Sequence, residues 1–228
     1  MKRFLLILVI VAFAVSSSMA KDGGKSPKCT VTLSDGTKIS GYWIGSDRKR
    51  SSVGRYGIFT LNTIVIADTP DAETGIGYDA NNAVKFVVRN ANDSIEYLSL
   101  YAQKAMTMPK SMKHGKNKSF WRVVYRKNGV CGFVEDAFDV NISSRPFGGA
   151  SYSEKLTRVY CYCLEGDAHV IPYWIPEEQY LTFGMRTQIR YSFERFPKVA
   201  EYIKSDNFKM NQIYENPIGF LDKVVELK

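Results

Sequence analysis

Residues 120–134 read FWRVVYRKNGVCGFV. Phe120 to Arg126 is a run of strand-forming residues, and Val130 to Val134 is a second. Between them Asn128-Gly129 specifies a tight hairpin, because both residue types tolerate the positive φ of a type I′ turn. Side chains alternate along a strand, so Trp121, Val123 and Tyr125 share one face and Arg122, Val124 and Arg126 the other. That is the pattern of a half-buried antiparallel hairpin, and it marks the body of the chain as a sheet.

The same signals recur on both sides. Cys29 to Leu33, Asp35-Gly36 and Thr37 to Ile44 read as an opening hairpin, with both turn residues suited to a type I′ turn. Gly45 to Gly57 is charged and rich in Gly and Ser and reads as a loop. Strands follow at Ile58 to Ala67, Ala83 to Arg89 and Ile95 to Tyr101, with a loop over Asp68 to Asn82 and a polar connection from Lys110 to Lys118. Thr157 to Leu164, Gly166-Asp167 and Ala168 to Ile175 make a later hairpin. Pro172 cannot donate a ladder hydrogen bond, so its strand is an edge or is interrupted there.

After Pro176 the apolar period changes. Leu181, Met185, Ile189 and Phe193 recur every four residues, which is one face of a helix. Phe196-Pro197 ends that helix and starts another, and Asn216-Pro217 is a capped start for a third. The expected architecture is α+β: antiparallel hairpins forming a small barrel-like sheet over residues 29–176, then a helical tail over 177–228. The connection at 110–118 suggests two β modules, 29–110 and 118–176.

The N-terminus sets the expected compartment. Lys2 and Arg3 precede an apolar run from Phe4 to Val15, and Ser18-Met19-Ala20 fits a small-x-small cleavage site. This is the pattern of a secretory signal peptide over residues 1–20, followed by a flexible lead-in over 21–28. The run is shorter than the about 20 apolar residues that span a bilayer. Cleavage removes Lys2, Arg3 and no acid, taking the net charge from +8 to +6. The expectation is an exported protein, periplasmic or extracellular, with no membrane span in the mature chain. Export removes the usual nucleic-acid targets of a basic protein, which argues against a nucleic-acid partner.

Chemistry-bearing motifs are sparse. The histidines are His114 and His169, and neither sits in a nucleophile motif. There is no Gly-rich phosphate loop: Gly148-Gly149 lacks a following Lys-Ser/Thr. Glu135-Asp136 and Glu177-Glu178 are adjacent pairs, and sequence does not set them across a cleft. No cofactor motif and no metal-ligand spacing is present. Cys161 and Cys163 share a strand face at about 6.5–7 Å, too far and too parallel for an unstrained mutual bond. Cys131, Cys161 and Cys163 therefore read as buried free thiols, or as one disulfide made between hairpins.

The segment from Ala102 to Asn128 is basic, with no Asp or Glu, and carries interleaved aromatics. Its Lys116, Lys118, Trp121, Arg122, Tyr125 and Arg126, together with Trp43, are the binding candidates. A basic, aromatic surface suits an acidic polymer, and a charge run also serves simply as a solvated face.

Val31 to Trp43, with Asp35-Gly36, Gly41 and then Asp47, resembles the first half of an Sm-like motif, whose second half is missing here. More of the chain resembles uncharacterised exported bacterial cell-envelope proteins. The likeness rests on Asp35-Gly36 with Ile39 and Gly41, on Trp121 through Val130, and on Phe193 through Phe208. That resemblance implies an envelope location and no known activity. The function expected is a non-catalytic envelope or binding protein, with another envelope protein or an acidic polymer as partner. The alternatives are a secreted hydrolase with dispersed catalytic residues and a basic surface for acidic polymers.

Overall fold

The computed structural model describes residues 26–53, 56–89, 93–103, 114–144, 150–176 and 182–228. The signal peptide, most of the lead-in, Lys110, Gly148-Gly149, Glu177-Glu178 and Leu181 lie outside the described residues.

The described chain is β-rich with four short helices at its end. Its strands are β1 (Lys28–Leu33), β2 (Lys38–Val53), β3 (Tyr56–Ala67), β4 (Ile76–Asp79), β5 (Ala83–Arg89), β6 (Ser94–Gln103), β7 (His114–Lys127), β8 (Val130–Ser144), β9 (Ala150–Leu164) and β10 (His169–Trp174). The helices are α1 (Thr182–Ser192), α2 (Pro197–Lys204), α3 (Asn211–Glu215) and α4 (Phe220–Leu227). None of the described helices is long and apolar enough to cross a membrane.

The strands form one ten-stranded sheet in the order β10-β9-β8-β7-β6-β5-β1-β2-β3-β4. Three further pairings bend it back on itself. β10 meets β6 in parallel at His169–Tyr101 and Val170–Ala102, which completes a circuit through β6, β7, β8, β9 and β10. β3 meets β7 at Leu61–Phe120, which completes a second circuit through β1, β2, β3, β7, β6 and β5. The β6–β7 ladder, from Tyr97–Arg122 to Gln103–His114, belongs to both. It also crosses the expected boundary at 110–118.

Each circuit encloses its own apolar cluster. The first holds Leu100, Ala102, Trp121, Cys131, Phe133, Val159, Cys161, Cys163 and Val170. The second holds Cys29, Val31, Leu61, Ile64, Phe86, Val88 and Phe120. Phe120 and Trp121 are neighbours in sequence, so their side chains leave β7 on opposite faces, and each fills one core. Trp121 is fully buried and donates its indole N–H to the Leu100 carbonyl at 3.2 Å. Phe120 meets Phe86 edge-on at 4.9 Å.

The β3–β7 contact has a single residue pair, and a buried amide reinforces it. Asn62 accepts from the Lys49 N–H at 3.0 Å and donates to the Lys118 carbonyl at 3.2 Å and Ser119 Oγ at 3.1 Å. One side chain thereby ties β2, β3 and β7, and leaving such buried groups unpaired would destabilise by about 1–3 kcal/mol each.

A third cluster packs the helical tail on the outer face of the first circuit. Met185, Ile189, Phe193, Val199, Ile203, Phe220, Leu221 and Val224 cover Val130, Tyr162, Tyr173 and Trp174. Tyr162 stacks on Phe193 at 4.7 Å, and its hydroxyl donates to the Ser192 carbonyl at 2.6 Å. Gly132 lets α4 approach: a Cβ there would lie 2.5 Å from a Leu221 methyl. The tail breaks at Phe196-Pro197, as its sequence predicts. Asn216 caps the turn before α4 through its Oδ1, which accepts from the Gly219 N–H at 2.8 Å.

Several expectations need correction. The expected small sheet is a large one of ten strands. The polar stretch 45–57 is largely strand, with β2 paired to β3 from Tyr42–Ala67 out to Val53–Tyr56. The loop over 68–82 contains β4 and a 3-10 turn at Ala80–Asn82. In the opening hairpin only Gly36 has positive φ, at 87°; the Asp35 carboxylate accepts from the Thr37 N–H at 2.8 Å instead. That is a three-residue loop with a glycine bulge, not a type I′ turn. Asn128 and Gly129, at φ 45° and 74°, do form one. Tyr125 does not share a face with Trp121 and Val123, because the register slips by one between Val123 and Tyr125. Pro172 coincides with an interruption: the β9–β10 register shifts between Pro172 and Trp174. β10 is not a free edge, since β6 pairs with its start.

Trp121→Ala empties the largest side-chain volume of the first core. It should lower unfolding free energy by about 3–5 kcal/mol, read from the midpoint of a urea transition.

Candidate functional site

The slip in β7 decides where the candidate residues go. A one-residue bulge turns every later side chain to the other face. Up to Val123 the odd-numbered residues point into the first core. Beyond it Tyr125 stands opposite Gly132, on the face covered by the tail, and Arg126 stands opposite Cys131, at the end of the first core.

Tyr125 accordingly packs against the helical cluster. Its hydroxyl donates to Asp222 Oδ1 at 3.2 Å, and Lys127 Nζ reaches the same oxygen at 2.7 Å. The tyrosine is a latch for α4. Its phenol is pushed up to about 12, chiefly by desolvation and then by its bond to the Asp222 carboxylate. Arg126 bridges Glu96 on β6 at 2.5 Å and Glu165 in the β9–β10 turn at 2.6 Å, and Lys85 adds a second contact to Glu96 at 2.9 Å. This charged network closes the end of the first core beside Cys131.

The remaining candidates do not join it. Trp121 is core, as described above. Trp43 is half-buried, donates to the Gly45 carbonyl at 2.8 Å and lies edge-on to Phe86 at 5.6 Å, so it belongs to the second core. Lys118 lies 5.5 Å over the Tyr101 ring. Lys116 and Arg122 are exposed along β7. Lys104 and Lys113 of the basic run lie outside the described residues. The sequence-level patch is thus divided among two cores, a tail latch, a charged end-plug and an exposed strand face.

The cysteines are all buried and free. Cys29 is in the second core, where burial pushes its thiol up to about 11. Cys131 stands directly opposite Cys163 across β8 and β9, while Cys161 stands opposite Phe133. The Cys131 and Cys163 thiols share a hydrogen bond, which holds Cys131 below and Cys163 above the usual thiol range. The Arg126 guanidinium also favours the Cys131 thiolate. Among the described residues, no group of three or more His, Cys, Asp and Glu is placed to hold a metal ion. The His169 ring lies 5.6 Å from that of Tyr101.

The adjacent acids Glu135 and Asp136 part company: Asp136 is exposed and Glu135 turns inward. Glu135 lies on β8 between Phe133 and Ala137, whose side chains both fill the first core. Burial pushes its carboxyl up to about 7, against the attraction of Arg48 and Arg122. Only the inward parity with Phe133 could have signalled it.

The sign of the resulting pH effect follows from linkage. Above its ordinary range Glu135 ionises in the unfolded chain first, so its ionisation destabilises the fold as pH rises from about 4.5 to about 7. Glu135→Gln should match the wild type near pH 4 and melt at higher temperature near pH 8. Thermal unfolding at the two pH values checks this.

No protein family, no curated protein and no solved structure matches this chain.

Proposed function

We propose that the chain is an exported, non-catalytic binding protein of the cell envelope, and that its partner is another envelope protein. The observation that carries this is an exposed apolar face on the sheet. Ile58, Ala137 and Thr157 lie in register across β3, β8 and β9 and turn inward. Their sequence neighbours Phe59, Asp136, Leu156 and Arg158 therefore turn outward. Leu156 is 72% exposed and Phe59 48%, with the Asp136–Arg158 ion pair at 3.7 Å beside them. Apolar side chains framed by charge on a sheet face suit a protein partner better than a purely acidic polymer.

Two further features support the reading. The N-terminal pattern of Lys2-Arg3, Phe4 to Val15 and Ser18-Met19-Ala20 is that of an export signal. The resemblance to exported envelope proteins points the same way. The side chains with chemical potential are spent on architecture: Tyr125 on α4, Arg126 on two glutamates, Trp121 on Leu100. We read the two circuits of strands as two small barrel-like units sharing the β6–β7 wall, which present this face rigidly.

Fractionation of a bacterial host expressing the full chain should place it outside the cytoplasm, with the mass of residues 21–228. A cytoplasmic chain retaining residues 1–20 would contradict export. The immobilised mature protein should recover one envelope protein from an extract, and Leu156→Asp should reduce that recovery about tenfold, equivalent to about 1.4 kcal/mol. Equal recovery by the variant contradicts the proposed face. Salt-sensitive retention on heparin, unchanged by Leu156→Asp, would favour the acidic-polymer reading instead.

A further inference from the structure

We infer that Cys131 and Cys163 form a cross-strand disulfide when the chain folds in the presence of a disulfide oxidant. This rests on the proposed export for its setting in the cell, but the chemistry is testable on the isolated protein.

The geometry selects this pair among the four thiols. Cys131 and Cys163 are directly opposed on neighbouring antiparallel strands. Opposed residues have Cα atoms about 4.5–5.5 Å apart, inside the range a disulfide spans. Cys131 and Cys161 are instead diagonal neighbours, at about 7–8 Å. Cys161 and Cys163 are separated along one strand by about 6.5–7 Å with parallel side-chain vectors. Cys29 is in the second core, on the far side of the β6–β7 wall.

The opposed pair is also chemically set up. Both side chains leave their paired strands on the same face, into the first core. Arg126 stands opposite Cys131 on β7, held there by Glu96 and Glu165. The guanidinium favours the Cys131 thiolate, the attacking form, against burial and the charges of the two glutamates. The Glu165 N–H donates to the Gly129 carbonyl at 2.8 Å, which puts residues 131 and 163 at a hydrogen-bonded position of the ladder. There the opposed side chains are at their wider spacing. The bond closes only by drawing the Cβ atoms together, which leaves it easier to reduce than a relaxed disulfide.

The reaction balances with a small-molecule or protein disulfide as oxidant. The Cys131 thiolate attacks one sulfur of the oxidant and releases the first thiolate. The Cys163 sulfur, losing its proton, then attacks the mixed disulfide at Cys131 and releases the second. Two thiols are oxidised, one disulfide is reduced to two thiols, and the two protons end on the departing sulfurs.

The test uses mature protein refolded from urea in oxidised glutathione, because both sulfurs are shielded in the folded chain. Intact mass should fall by about 2 Da, as two thiols lose their hydrogens. Alkylation should then find two free thiols of the four, and proteolytic mapping should link the peptides of Cys131 and Cys163. Cys161→Ser should leave the link intact. Cys163→Ser should abolish it and leave glutathione on Cys131. Millimolar dithiothreitol should reverse the link once urea exposes the two sulfurs. A link between Cys131 and Cys161, an unchanged mass, or four alkylated thiols would overturn the inference. The wild-type map decides the question even where a serine variant fails to fold. Export is read separately by fractionation, so failure of one does not masquerade as failure of the other.

Discussion

The β6–β7 ladder is the constraint on which the rest of the molecule depends. At Phe120 and Trp121 both faces of this one wall are buried, each against a different core. Phe120 and Trp121 express this in two adjacent residues. Their backbone cannot shift to relieve one core without moving the other, because strand alternation ties the two side chains to opposite sides. Asn62 adds a polar tie at the thin β3–β7 contact, where the ladder alone supplies one residue pair. The two circuits are therefore not two modules joined by a linker; they share a structural element.

The second determinant is the one-residue slip in β7 after Val123. Before it, β7 serves the two cores. After it, Tyr125 faces the tail and Arg126 faces the end of the first core. The same slip thus latches α4 through Asp222 and places a guanidinium beside Cys131. It also removes Tyr125 and Arg126 from any common binding patch with Trp121. The outward face of β3, β8 and β9 carries the exposed Phe59 and Leu156.

Much of the element order was legible because turn chemistry is local. Asn128-Gly129 set the central hairpin, Pro197 and Asn216 set two boundaries in the tail, and the four-residue apolar spacing of Met185, Ile189 and Phe193 gave the first helix its buried face. Strand length was not legible where strands run beyond the cores. Lys49, Arg50 and Ser51 carry no apolar alternation, yet their backbones pair with Thr60, Phe59 and Ile58, so ladder bonds make a strand that side-chain pattern hides. The site was less legible still. Alternation correctly separated Trp121 from Arg122, but it could not show that Phe120's face is also buried, since that burial comes from strands 30 to 90 residues away. A bulge has no required residue type, so the slip that reassigns Tyr125 left no mark in the sequence. The opposition of Cys131 and Cys163 depends on the β8–β9 register, which no local residue pattern spells out.

The claim that the two cores stand or fall as one unit is tested most directly by hydrogen exchange under native conditions, comparing the wild type with Phe120→Ala. Phe120 packs in the second core, against Phe86. If the shared wall couples the two, peptides from β1 and β5 and peptides from β9 and β10 should lose protection together and by the same factor. Faster exchange confined to β1 and β5, with β9 and β10 unchanged, would contradict the account.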